Sequence, residues 1–370
     1  MIPFNKPCYI GKEETAMHEA ITNQKLSGNG PFNKKCTSWL EDYLSCERAI
    51  LTPSCTAALE MAALLTDTGP GDEIIMPSYT FVSTANAFAL RGAAIRFVDV
   101  KHETMNISPD AIEAAITEHT KAIVVVHYAG VSCDMNTIMD IASRHGLWVI
   151  EDAAQALTST YHDRKLGTIG HFGTFSFHDT KNVICGEGGA LIVNHPDAVE
   201  RAEILQEKGT NRQQFVKGMV DKYTWRDIGS SYLLSELNAA YLSVQLEHAD
   251  QIMADRLRTW QKYYDGLRDI KTISLPFIPG NCTHNGHLFY IKTDRRSELM
   301  DYLREQGIMA VSHYVPLHSS EAGQLFGQFA GNDVYTTAES NKLLRLPLYY
   351  GIKEKDVDHV ISHIKHFFKL

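Results

Sequence analysis

From about residue 52 the apolar positions alternate between two spacings. TAALEMAALL, FVSTANAFALR, SPDAIEAAI and DMNTIMDIASRHG carry helical spacing, and the short apolar runs EIIMP, AIRFVDV, AIVVVH and LWVIED lie among them. The runs show little polar alternation, which is the pattern of parallel strands covered on both faces by crossover helices. Ser108-Pro109, with Glu113 following, marks a helix start, and Gly92 and Gly146 stand where helices stop. The pattern predicts an α/β protein built on a large, mostly parallel sheet.

Further along, GTFSF and ALIV read as strands, and a helix is predicted near 196–208. The polar stretch KGTNRQQFVKGMVDKYTWRDIGSS follows, and then one long helical pattern from 233 to 267. The remainder reads as strand HLFYIKTD, helix RSELMDYLREQG, strand IMAVSHYVP and closing helix EKDVDHVISHIKHFF. A large domain over 1–250 and a small α+β domain over 251–370 are expected, with the boundary inside a helix.

Composition narrows the function classes. The 370 residues are 44% hydrophobic and 21% charged, as in globular enzymes, and the net charge of −9 offers no basic stripe to a nucleic acid or an anionic membrane. The opening MIPFNKPCYIGKEE lacks an apolar core behind basic residues, and no apolar run reaches the roughly 18 residues of a membrane span, so a cytoplasmic protein is expected. Seven cysteines without a C-x-x-C pair fit reduced thiols rather than a disulfide frame or a zinc site.

In sheets of this kind ligands sit at the carboxyl ends of the strands, which directs attention to Pro77–Phe81, His127-Tyr128 and Glu151–Gln155. Ser54, Cys55 and Thr56 precede an apolar helix, and the same residues serve equally as an anion site or as a simple cap. Asp152 either meets a buried cation or caps the next segment. Phe81 alone reads as a core aromatic, and His127, His178 and His318 have no metal-ligand spacing. GEGGA feeds a strand rather than opening a helix, so its glycines are expected to let backbone pass close to something bound rather than to form a nucleotide loop. Lys181, in FSFHDTKNVICGEGG, is by itself an ordinary surface charge, and Cys185 nearby is expected to be a buried, inert thiol. Taken together, a helix N-terminus, an aromatic, an aspartate, Gln155, and Ser176 five residues before Lys181 are the parts that hold pyridoxal phosphate.

The motifs PSCTAALEMA, MPSYTFVSTANA, EDAAQA, FSFHDTKN, GEGGA, QEKGTNR and YVPLH, in this order and nearly end to end, resemble the DegT/DnrJ/StrS family of sugar aminotransferases. The resemblance implies a PLP-dependent transferase fold, that of aspartate aminotransferase, with a seven-stranded large domain, a small C-terminal domain and an active site at a homodimer interface. It implies that Lys181 bonds covalently to pyridoxal 5'-phosphate, that Asp152 partners the pyridine nitrogen, and that Gln155 meets the ring's phenolic oxygen. Phe81 falls at the stacking position, Cys55, Thr56 and Ser176 at phosphate contacts, and Lys208, Arg212, Tyr314 and His318 in substrate-facing segments. Many relatives carry Asn-Tyr-Arg where this chain has Ser231-Tyr232-Leu233, which removes a cross-subunit phosphate contact from the expectation. The implied reaction moves an amino group from L-glutamate to C4 of a dTDP-4-keto-6-deoxyhexose, with the galacto product favoured and the gluco epimer as the alternative. Dehydratase relatives carry histidine in place of the lysine, and a binding protein on this scaffold would lack the lysine or the aspartate, so Lys181 and Asp152 argue against both.

Overall fold

The structure is a computed structural model that describes residues 1–369. Helices α1 (Glu13–Thr22) and α2 (Pro31–Leu44) precede strand β1 (Arg48–Thr52), which leads into α3 (Cys55–Leu65). There follow β2 (Glu73–Pro77), α4 (Val82–Ala89), β3 (Ala94–Val98), β4 (Thr120–Val126) and β5 (Trp148–Asp152). The central sheet has eight strands in the order β1, Gly189–Val193, Phe172–Ser176, β5, β4, β2, β3, Gly327–Phe329. Gly189–Val193 is antiparallel to both of its neighbours, and every other adjacent pair is parallel. The carboxyl ends of β1, β2, β4, β5 and Phe172–Ser176 therefore share one edge of the sheet, and the antiparallel strand starts there at Gly189.

Burial explains why the apolar runs lack alternation. Ile75, Ile123, Val125 and Val149 belong to the core on one face, while Ile74, Met76, Val124 and Ile150 belong to the core on the other. Each such side chain contributes about 1.5–3 kcal/mol, so both faces require apolar residues. Helix α3 is buried along nearly its whole length, from Ala57 to Leu65, which accounts for an apolar sequence with little amphipathic contrast. A further core forms around Tyr263, Leu267, Phe289, Ile291, Leu303 and Ile364, where Phe289–Lys292 pairs antiparallel with Leu343–Leu346.

Three features depart from the expected pattern. The sheet has an eighth strand, Gly327–Phe329, beside β3, where seven were implied. The helical pattern over 233–267 is two helices, Glu236–Glu247 and Ala249–Leu267, meeting at His248, whose Nδ1 lies 2.8 Å from the Val244 carbonyl. Apolar residues continue across the joint and mask it. IMAVSHYVP forms no strand ladder: Val311 makes one bridge to Arg345, and the Ser312 carbonyl accepts from the Arg345 side chain instead of a neighbouring strand.

Candidate active site

A cavity of about 590 Å³ lies at the carboxyl edge of the sheet. One wall is the N-terminus of α3. Ser54 is its N-cap, and its Oγ accepts from the Ala57 N–H at 3.1 Å, so both readings of this stretch hold together: the cap exists, and Cys55 and Thr56 line the cavity. Thr56 Oγ1 is 2.7 Å from Ser83 Oγ, which brings the first turns of α3 and α4 to one point. The glycines of GEGGA act against protein backbone: a Cβ on Gly189 would collide with Cys55 N and Ser54 C, so strand Gly189–Val193 can approach the α3 N-terminus only without a side chain there. This corrects the expectation of a close approach to a bound group at that residue, although Gly188 does line the cavity.

Asp152 ends β5 and is buried. Thr84 Oγ1 donates to its Oδ2 at 2.8 Å and the Ala154 N–H to its Oδ1 at 3.2 Å. Burial pushes its carboxyl pKa up, against the pull of those donors and of the charge on Lys181, so the carboxylate gains from a cation placed in the cavity. Lys181 lines the same cavity and makes no ion pair among the described residues. Burial lowers its ammonium from the usual range, against the charge of Asp152, and so favours the nucleophilic free amine. Cys55 and Cys185 are neutral thiols, their ionisation pushed up by burial, so Cys55 offers the cavity its backbone rather than a thiolate.

Phe81 is the N-cap of α4 and is 55% exposed, a ring at the cavity wall instead of the core aromatic its type suggests. Gln155 Oε1 accepts from the Ala129 N–H at 2.7 Å while its Nε2 donates to Tyr314 Oη at 2.9 Å, so its amide is held in one orientation. Behind Asp152, the buried Glu151 accepts from the N–H groups of Gly167, Ile169 and Gly170 at 2.8, 2.6 and 2.6 Å. His127 Nδ1 accepts from the Cys133 N–H, leaving Nε2 to donate to Glu151 at 2.8 Å. His127 is therefore a structural partner of Glu151, one residue from the site.

Cys55, Thr56, Phe81, Asp152, Gln155, Ser176, Lys181 and Tyr314 thus line one cavity. Lys208 and Arg212 do not; they flank the buried Glu207, with Arg212 Nη1 3.1 Å from its Oε1 and Lys208 Nζ 3.8 Å from its Oε2. His318 also lies outside the lining, with Nδ1 2.7 Å from Ser78 Oγ and Nε2 3.3 Å from Asp333. Sequence reasoning missed Ser83, Thr84, His287, His313 and Arg345, all of which line the cavity. Only Ser83 and Thr84 had a visible signal, lying inside the motif MPSYTFVSTANA already singled out. Among the described residues no cluster of His, Cys, Asp or Glu is placed to hold a metal ion, and no helix is long and apolar enough to cross a membrane.

The residues fit pyridoxal phosphate: an amine without an ion pair, a buried carboxylate wanting a cation, a helix N-terminus for a phosphate and an exposed ring for stacking, all on one cavity. The profile of the DegT/DnrJ/EryC1/StrS aminotransferase family matches residues 8–365. The chain belongs to this family. It is 32% identical to the spore coat polysaccharide biosynthesis protein SpsC of Bacillus subtilis (strain 168), an alignment covering 100% of this chain and 97% of that one. Its structure resembles the aminotransferase TlmJ from Streptoalloteichus hindustanus, with a TM-score of 0.92, 28% identity and coverage of 99% and 98% of the two chains. DesV of S. venezuelae, solved in complex with a ketimine intermediate, matches with a TM-score of 0.89, 29% identity and coverage of 97% and 95%. The protein is thus a sugar aminotransferase of the DegT/DnrJ family, with that family's α/β fold and its dependence on pyridoxal phosphate.

Proposed function

We propose that this aminotransferase moves the amino group of L-glutamate to C4 of dTDP-4-keto-6-deoxy-D-glucose, giving dTDP-4-amino-4,6-dideoxy-D-galactose and 2-oxoglutarate for a bacterial surface polysaccharide. The observation that carries the reading is Lys181, an amine free of ion pairs, facing the same cavity as the buried Asp152. The motif resemblance supplies the nucleotide, the sugar and the donor, and the role of SpsC in spore coat polysaccharide biosynthesis agrees with the class of product.

Bound pyridoxal phosphate supplies an electron sink for the pair left on the donor's α-carbon. The Lys181 amine would take the proton from that α-carbon and deliver it to the cofactor's C4′, two atoms further along, so a single base would serve both transfers. Asp152, steadied by Thr84 and the Ala154 N–H, would hold a proton on the ring nitrogen. Of the residues that would hold the cofactor, Gln155 would meet the ring's phenolic oxygen, Phe81 would cover the ring, and the Cys55 N–H, Thr56 and Ser176 would bind the phosphate with the α3 N-terminus behind them. Tyr314, hydrogen-bonded to Gln155, would meet the substrate, whereas Lys208, Arg212 and His318 lie outside the cavity lining and are assigned no substrate role.

We further assign the chain as a cytoplasmic homodimer with its domains divided near 250. The exposed Phe215, Met219, Tyr223 and Trp225 support an interface on that segment, and gel filtration of the purified protein tests it. The test of the reaction is product analysis: dTDP-4-keto-6-deoxyglucose, L-glutamate and holoenzyme are expected to give one amino sugar whose proton couplings at C4 are those of the galacto series. Gluco couplings would overturn the stereochemical assignment, and no incorporated amine would overturn the substrate.

A further inference from the structure

The charged groups of the cavity do not balance. Its lining carries two carboxylates, Asp152 and Glu187, and three cations, Lys181, Arg256 and Arg345. Asp152 is engaged by Thr84 and Ala154, and Glu187 faces His178 at 3.6 Å. Arg256 is spent on structure, its Nε donating to the Gly286 carbonyl at 3.1 Å and its Nη2 to those of His287 and Leu348 at 2.5 and 3.3 Å. Arg345 is different. Its Nε and Nη2 share a single acceptor, the Ser312 carbonyl, at 3.2 and 2.8 Å, and its guanidinium sits 4.7 Å above the Phe4 ring. Among the described residues it pairs with no carboxylate, and its Nη1 has no acceptor.

We propose that Arg345 is the residue that binds a carboxylate of the amino donor, setting donor specificity for the transamination. The inference rests on the reading of Lys181 as the reacting amine. Arg345 lies on strand Leu343–Leu346, paired in register with Tyr290, so its backbone is rigid and its side chain enters the cavity from the C-terminal core. The groups around it complete the choice of ligand. Burial keeps His313 uncharged, with Arg345 adding to the effect, and Tyr128 Oη lies 2.8 Å from His313 Nδ1. His287 is uncharged for the same reason. Neutral aromatic walls around one guanidinium suit a small planar anion, and a two-pronged arginine–carboxylate pair is the strongest match available to it. The charge of Arg345 is also felt at Lys181, whose ammonium it lowers, so a carboxylate held on Arg345 lies within the field of the reacting amine. A sugar nucleotide carries its diphosphate at C1, across the ring from the reacting C4, and so places its charge farther out than the donor does.

The experiment separates the half-reactions. Holoenzyme is mixed with L-glutamate and the cofactor's absorption change is followed; separately, enzyme preloaded with amine is mixed with the keto sugar nucleotide. Arg345→Met is expected to raise the glutamate concentration for half-maximal rate by about a hundredfold, as for loss of one partner of a desolvated charged pair, and to change the sugar half-reaction by less than about threefold. Arg345→Lys, which keeps the charge without the fork, is expected to fall between. Glutarate, which has the carboxylates and no amine, is expected to raise the Tm of wild-type holoenzyme and not that of Arg345→Met. A wild type that responds to glutamate, beside an Arg345→Met that responds equally well, would overturn the assignment and leave the function intact. Equal losses in both half-reactions, or a loss confined to the sugar step, would also overturn it, moving Arg345 to a structural or sugar-phosphate role. A wild type that ignores glutamate would instead defeat the functional reading beneath it.

Discussion

Replacing Asp152 with asparagine tests whether a charge, rather than a shape, is required at the end of β5. The two groups that hold the side chain tolerate the change. Asparagine's oxygen can accept from the Ala154 N–H, now at 3.2 Å, and its NH2 can donate to Thr84 Oγ1, now at 2.8 Å, because a hydroxyl accepts as well as donates. Folding is therefore expected to change by no more than about 1 kcal/mol. What is lost is the attraction between a carboxylate and a protonated ring nitrogen in a buried site. At about 4 Å and an effective dielectric of about 20 that attraction is roughly 4 kcal/mol, near a thousandfold in rate. Burial strengthens the argument, because Asp152 has its carboxyl pKa raised by desolvation and regains stability only when a cation arrives. Stopped-flow measurement of the glutamate half-reaction, with Tm and cofactor content determined on the same samples, checks it. A fully loaded, normally stable Asp152→Asn enzyme working within about threefold of wild type would refute the assigned role.

Other outcomes follow from the same geometry. Glu151→Gln sets an NH2 against two of the donors that now meet the carboxylate, so unfolding in urea is expected to show a loss of about 3–5 kcal/mol, and a loss below about 1 kcal/mol would contradict the count of partners. Burial raises the Glu151 pKa, but the hydrogen bond from His127 and the N–H groups of Gly170 and Gly167 outweigh it and hold it below the usual range. This contribution is therefore present above the unfolded carboxylate pKa and is lost as pH falls through the folded one; acid titration of stability is expected to be flatter in Glu151→Gln than in wild type. Gly189→Ala forces a methyl against Cys55 N and Ser54 C, and is expected to weaken pyridoxal phosphate binding by about tenfold or more, read by equilibrium dialysis; unchanged affinity would mean that the α3 N-terminus does not hold the phosphate.

The parts of the fold that were legible are those where one force dominates. β2, β4 and β5 needed apolar residues on both faces, and their runs said so. Asp152 and Gln155 stood out because they follow such a run, where a parallel sheet opens its cleft, and Ser176 because it stands five residues before Lys181. Arg345 and His313 were not found, because a side chain that enters a cavity from a distant core leaves no periodic trace. The strand expected in IMAVSHYVP failed for a related reason: its pairing stops after the Val311 bridge, where the Ser312 carbonyl turns to the Arg345 side chain, and His313 and Tyr314 line the cavity rather than a sheet. Gly327–Phe329 is three residues long and gains its strand character from β3 rather than from its own sequence. The break at His248 is hidden for the opposite reason, since both helices bury apolar residues on either side of it.

The most direct test of the central claim is the visible absorption spectrum of the purified protein before and after L-glutamate, beside Lys181→Ala. Wild type is expected to show the band of lysine-bound pyridoxal phosphate and to lose it to the amine-bearing form of the cofactor on adding glutamate, while the variant lacks the first band and does not turn over. A wild type with no such band, or a Lys181→Ala enzyme that behaves like it, would contradict the assignment of Lys181 as the reacting amine.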